Sequence, residues 1–310
     1  MSMINIWSDC LFVIRHPLSF FRRQLWLALA KSMNDRAYIK FIYWCFMRKK
    51  LNIDTPLLFT EKLQWLKLYD RKPIYHIMAD KYDAKQFVAQ KIGAEYVIPT
   101  LGIWNSFNDI NFDELPDRFI LKGTFDSSSY YICNNKSEFD IKAAKRKVLT
   151  NWKVDYSLFS REWPYKGLKH RLIAEPLLND GKNLYLTDYK FYTFNGEPQF
   201  FYTTSNRGTK IGLCEDFFDI DGNHLELNQV GYKNNPEKPS LPKNLKRMVE
   251  ISRLLANGTY HLRVDFYEVG NKLYVGELTF FDGGGFSEFV PQQYNRILGD
   301  WIKLPIDTIG

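Results

Sequence analysis

Apolar and polar residues alternate from Leu262 to Tyr267, with Leu262, Val264 and Phe266 facing one way and Arg263, Asp265 and Tyr267 the other. A period of two over this length predicts a half-buried strand. The run from Lys272 to Phe280 predicts the return strand. Val269-Gly270-Asn271 between them predicts a three-residue hairpin loop, with the glycine free to take a left-handed backbone. This register gathers Leu262, Val264, Phe266, Tyr274, Leu278 and Phe280 on one buried face. It gathers Arg263, Asp265, Glu277 and Thr279 on the other. A slip of one residue would invert both faces, so the apolar face protects the polar cluster. A glycine run, Gly283-Gly284-Gly285, follows.

Upstream, the pattern predicts helices from about Ser19 to Ser32 and from Asp35 to Lys49. Thr60 is placed to cap a helix over Glu61 to Asp70, with Leu63, Trp65 and Leu66 lining one side. Pro73 starts a further helical stretch that includes Asp80-Lys81. Ala94 to Asn105 has strand character. Phe119 to Lys122 predicts a short strand, Gly123 to Ser129 a turn rich in small residues, and Tyr130 to Ile132 another strand. Asp140 to Thr150 reads as a basic helix, Arg161 to Tyr165 as the end of another, and Leu172 to Leu178 as a strand. Asn195-Gly196, between Leu184 to Phe194 and Pro198 to Tyr202, is a strong hairpin signal. Sheet continues to Asp219, Asp221-Gly222-Asn223 turns, Asn234 to Pro242 loops, and Leu245 to Ala256 is helical. Trp301 to Pro305 reads as a docked tail.

Charge changes the picture only at the N-terminus. The net charge is +7, and residues 1–50, with nine Lys/Arg and two Asp, account for all of it. The remainder is neutral and has no electrostatic reason to bind nucleic acid. Trp7, Leu11, Phe12, Phe20, Phe21, Leu25, Trp26, Phe41, Ile42, Trp44 and Phe46 accompany that charge. Two readings stay open: a helical pair packed on the main domain, or a segment resting on anionic lipid. Asp9 to Pro17 lacks the basic start and small-residue cleavage site of a signal peptide. The four cysteines, Cys10, Cys45, Cys133 and Cys214, are scattered without CxxC spacing, which suits reduced thiols in the cytoplasm. No run reaches the length of a spanning helix.

Two acids, an arginine and a hydroxyl on one sheet face suit a hard cation held against phosphate oxygens, because Mg²⁺ takes oxygen ligands from carboxylates and phosphates. The plainer alternative is a solvated sheet face with an ordinary salt bridge. Lys122, closing a strand before the Gly123 to Ser129 turn, is placed to add a point charge where backbone N–H groups and hydroxyls can wrap phosphate. A Ser-rich turn is also often only a turn.

Several stretches, in order, resemble one family: Phe59 to Asp70, Asp80-Lys81-Tyr82, Asp188-Tyr189-Lys190-Phe191, Phe194 to Pro198, Arg263 to Tyr267, Gly276 to Phe280 and Leu298 to Trp301. The chain resembles the TupA-like ATP-grasp family, found among genes for surface polysaccharides and often labelled glycosyltransferases. The resemblance covers about residues 59–305. It implies an α+β ATP-grasp domain there, after a basic, aromatic-rich helical segment at 1–58 and before a tail at 306–310. It implies that Lys81, Lys122, Ser127 and Ser128 contact ATP phosphates, and that Glu175 and the Leu177 backbone hold the nucleoside. Lys190 and Arg263 would serve the transfer, and Asp265, Glu277 and Thr279 would bind Mg²⁺. The sequence departs from the family pattern at Thr279, where Asn is commoner, and at Gly123 to Ser128, where Cys-Asn-His-Asp-Ser-Gly is common.

The function so implied is an ATP- and Mg²⁺-dependent carboxylate–amine ligase. Its partners would be ATP, a uronic-acid or other glycan carboxylate, and an amine, joined through an acyl phosphate at the cytoplasmic face of the membrane. A sugar-nucleotide glycosyltransferase using Asp265 and Glu277, and a catalytically silent interaction protein, remain as alternatives. Against the glycosyltransferase stands the lack of a Rossmann-type run with a DxD motif.

Overall fold

A computed structural model describes residues 17–179, 185–237 and 239–306, with the backbone alone over 17–24. The expectations at Trp7, Leu11, Phe12, Phe20, Phe21, Leu184 and residues 307–310 therefore lie outside the described side chains.

The described residues open with α1 (Pro17–Ser32) and α2 (Asp35–Met47). Asn34 caps α2 by accepting from Ala37 N–H at 2.9 Å. Then come α3 (Phe59–Tyr69), α4 (Ile74–Ala79) and α5 (Asp83–Ile92). Two expectations change here. Glu61, three residues past the Leu58 cap position, accepts from Leu57 and Leu58 N–H at 2.9 and 3.0 Å and caps α3. Thr60 is instead buried against Tyr43, hydroxyl to hydroxyl, at 3.0 Å. Asp80-Lys81 lies in a break between helices and not inside one: Asp80 Oδ1 accepts from Tyr82 and Asp83 N–H, starting α5 afresh.

Strands β1 (Gly102–Trp104), β2 (Phe119–Gly123) and β3 (Tyr130–Cys133) precede α6 (Ile141–Val148), α7 (Tyr156–Ser160) and β4 (Leu172–Pro176). Only Gly102–Trp104 of the expected strand region becomes strand; Ala94–Tyr96 forms a 3₁₀ turn. These strands make an antiparallel sheet in the order β1-β4-β2-β3. Phe119, Leu121, Leu172 and Ala174 bury one of its faces against Ala144 and Val148 of α6.

The second sheet follows. Strands β5 (Asp188–Phe194), β6 (Glu197–Ser205) and β7 (Cys214–Asp219) lead to the short β8 (Asn228–Gln229). Helix α8 (Leu245–Ala256) then leads to β9 (His261–Val269), β10 (Lys272–Thr279), β11 (Phe289–Val290) and α9 (Gln293–Trp301). The stretch before Trp301 is thus a helix ending in the expected tail. The antiparallel order is β10-β9-β5-β6-β7, and β8 pairs separately with β11. Asn195 and Gly196, at φ 50° and 86°, form the expected tight β5–β6 turn.

Phe191, Phe201, Leu262, Val264 and Phe266 sit on the face of this sheet that packs on α8 and are fully buried. Each buried aromatic or aliphatic side chain contributes roughly 1.5–3 kcal/mol, which is what makes a register slip costly. The β9–β10 loop has two residues and not three, because Val269 pairs with Lys272. A bulge at Gly276 also shifts the register between Val275 and Glu277. Tyr274 therefore pairs with Tyr267 on the polar face, and Leu273 takes the buried place expected for Tyr274. A side chain at 276 would meet the Tyr267 ring at 2.7 Å, so the bulge requires glycine there. Tyr38, Ile39, Ile42, Tyr43 and Met47 of α2 are buried in the core of this second sheet.

Candidate active site

A narrow cleft lies between the two sheets and the α4–α5 break. Lys122 and Glu175 reach it from the first sheet, Gly276 and Glu277 from the second, and Lys81 and Lys85 from the helical side.

The inner group centres on Glu175, which is buried on β4. Its two oxygens accept from Lys85 Nζ at 2.6 Å and Lys122 Nζ at 2.5 Å. Burial pushes this carboxyl up, but the two ammonium groups outweigh it and hold it below the usual range. Burial pushes Lys85 down, partly offset by Glu175. Lys85, which also donates to the Ile98 carbonyl, was not anticipated. Its only trace in the sequence is the four-residue spacing from Lys81, obscured by the helix break.

The outer group lies on the polar face of the second sheet. Lys190 pairs with Asp265, Tyr192 with Arg263, and Glu277 with Asp265 in register. Asp265 receives Arg263 Nε at 2.7 Å, Arg263 Nη2 at 2.8 Å and Lys190 Nζ at 2.5 Å. Burial pushes Asp265 up, and Arg263 and Lys190 reverse this and keep it ionised. Arg263 Nη2 also donates to Thr279 Oγ1 at 3.1 Å, and Nη1 to Asp282. Asp282 in turn accepts from Tyr192 Oη at 2.6 Å. Asp282 was missed as well, although it directly precedes the glycine run. Glu277 has looser contacts, 3.5 Å to Lys81 and 3.9 Å to Arg263.

The structure thus brings Lys81, Lys122, Glu175 and Glu277 to the cleft lining, and Lys190, Arg263, Asp265 and Thr279 to the same sheet face as Glu277. It does not bring Ser127 and Ser128 to the cleft lining. Ser127 is exposed, and Ser128 accepts from Asn151 Nδ2 at 2.7 Å. Their turn is organised by buried Asp126, which accepts from Ser129 N–H and Oγ and from Asn151 Nδ2. Asp126 turns its carbonyl to Lys81 Nζ. The Leu177 N–H points at the Arg118 carbonyl, 3.4 Å away.

A cation would meet two carboxylates on adjacent strands with a hydroxyl beside them. Among the described residues no group of three His, Cys, Asp or Glu side chains forms a metal cage. That donor set fits Mg²⁺, which takes one or two carboxylates and completes its shell from phosphates and water.

Two antiparallel sheets on either side of a cleft, Lys122 on one and an arginine with two acids on the other, make up an ATP-grasp fold. The TupA-like ATP-grasp family model matches residues 61–303, and the chain belongs to that family. Among solved structures it is similar to D-alanine–D-alanine ligase from Bacillus anthracis complexed with ATP. That match has 15% identity and TM-score 0.41, covering 66% of this chain and 55% of that one. The Helicobacter pylori D-alanine–D-alanine ligase matches at 14% identity and TM-score 0.44, covering 79% and 69%. D-cycloserine synthetase DcsG matches at 15% and 0.40, covering 74% and 72%. The chain thus spans just over half of the first ligase's length. No curated protein matches the sequence.

Proposed function

We propose that the protein is an ATP-dependent carboxylate–amine ligase that joins an amino acid or other amine to a uronic acid of a cell-surface polysaccharide. The observation that carries this reading is the cleft itself, with Lys85 and Lys122 at its inner end and the carboxylates Asp265 and Glu277 beside a fixed arginine at its outer end. In this reading the base and ribose lie by Glu175 and the Leu177 backbone, and Lys81 and Lys122 meet the phosphates. Asp265 and Glu277, with Thr279 beside them, would hold Mg²⁺; when bound, the ion neutralises phosphate charge. Arg263 is held by Asp265 and Asp282, so it presents charge to the transferring phosphoryl group without reorganising. Lys190 adds a second cation on the same face.

The test is incubation with ATP, Mg²⁺, candidate uronic acids and amines, read by mass spectrometry. The amide and a matching amount of ADP are expected. Consumption of a sugar nucleotide with no ADP would favour a glycosyltransferase and overturn the ligase.

We also place the protein at the cytoplasmic membrane face. Supporting this are the basic first 50 residues and the exposure of Leu25 and Trp44, with Arg48 5.7 Å over the Trp44 ring. Among the described residues no helix is long and apolar enough to cross a membrane. Sedimentation with anionic vesicles at low salt, lost at high salt, is the expected behaviour. Protein that stays in the supernatant at low salt would end this part of the reading.

A further inference from the structure

The Phe59 to Asp70 stretch carries no group into the cleft, yet its buried face is not purely apolar. Gln64 and Lys67, one helical turn apart on α3, are both fully buried. Gln64 Nε2 donates to the Gly285 carbonyl at 2.8 Å, and Lys67 Nζ to the Gly284 carbonyl at 2.6 Å. Their acceptors belong to the glycine run, whose three residues have φ of 56°, 67° and 75°. A side chain at 285 would meet Gln64 Nε2 at 2.8 Å, so helix and turn approach as closely as glycine permits. Asp282, immediately before the run, holds Arg263 Nη1 and the Tyr192 hydroxyl.

We infer that Gln64 and Lys67 are positioning residues: from α3 they grip the glycine turn by its carbonyls and so fix Asp282 against Arg263. Glycine backbone is the most conformationally free, and three left-handed residues in succession need an external hold to stay in one arrangement. Stability alone does not call for a lysine there. Burying an ammonium with its counter-charge, here Glu162, is unfavourable, and replacing such a pair by apolar residues of similar volume is commonly as stable or more so. Lys67 is accommodated by the Phe286 and Phe281 rings, 4.8 and 5.6 Å away. Burial pushes it down to about 8, with Glu162 opposing that shift.

The inference rests on the ATP reading, in which Arg263 faces the terminal phosphate. Its test is calorimetric binding of ADP and of the non-hydrolysable analogue AMP-PNP, both with Mg²⁺, to full-length Lys67→Met and Gln64→Met. Both variants keep the volume and delete the N–H donor. ADP affinity is expected to stay within about twofold of wild type, while the preference for AMP-PNP over ADP falls about tenfold. If Lys67→Met does not fold, Gln64→Met, which removes a neutral donor only, carries the same expectation. Variants that keep the wild-type preference, or lose both ligands equally, would reduce the grip to a structural contact and overturn the inference. Wild-type protein that binds neither nucleotide would instead overturn the ATP reading.

Discussion

Two polar networks meet at Lys81, whose ammonium touches the Asp126 carbonyl on one side and lies 3.5 Å from Glu277 on the other. The Arg263 network ties together strands β5, β9 and β10, and its geometry is set from behind by the buried aromatic and aliphatic face of the sheet. The Asp126 network is a single turn that satisfies itself, with Asn151 as its main outside donor. Charged groups on strands inherit the rigidity of a core, whereas groups on a turn keep only the rigidity of their own hydrogen bonds.

The largest test of this contrast is Asp265→Ala. It strands Arg263 and Lys190 inside the protein, and loss of one partner of a buried ion pair costs about 3–5 kcal/mol. Urea unfolding should show that loss; a change under about 1 kcal/mol would mean the strand network is not a unit. Asp126→Ala should cost less, about 1–3 kcal/mol, by leaving Ser129 and Asn151 donors unpaired. A loss as large as that of Asp265→Ala would erase the distinction between the two networks.

A third test asks how far the strand network reaches. Glu215, on the same face of β7, is pushed up to about 8, first by burial and then by Asp282. A carboxyl raised on folding contributes stability that is present below its unfolded value near 4.5 and lost as pH climbs through about 8. Glu215→Gln should therefore match wild type near pH 4.5 and exceed it above pH 8, by more than about 1 kcal/mol. Parallel stability–pH curves would show that Glu215 is not held in this environment.

The same contrast explains what could be read from sequence. Arg263, Asp265, Glu277 and Thr279 were legible because alternation fixes which side chains share a face, whatever the rest of the fold does. Tyr274 was misplaced because a bulge leaves alternation intact on each side and is marked only by Gly276. Helix propensity ran through Asp80-Lys81 because Asp80 acts as a cap only once the chain bends there. For Ser127 and Ser128, turn composition alone does not say where the hydroxyls point. Lys85 and Asp282 owe their places to tertiary contacts with Glu175 and Arg263, which no local pattern records.

In the proposed reading, nucleotide phosphates and Mg²⁺ meet beside Glu277 in the cleft. Glu277 tests it most directly, because its contacts are long and its removal should hardly disturb the fold. The measurement is ATP-dependent turnover against Mg²⁺ concentration in wild type and in Glu277→Gln. Mg²⁺-dependent turnover in wild type, abolished in a variant of unchanged melting temperature, is the predicted result. A Glu277→Gln protein with full Mg²⁺-dependent turnover would contradict the claim.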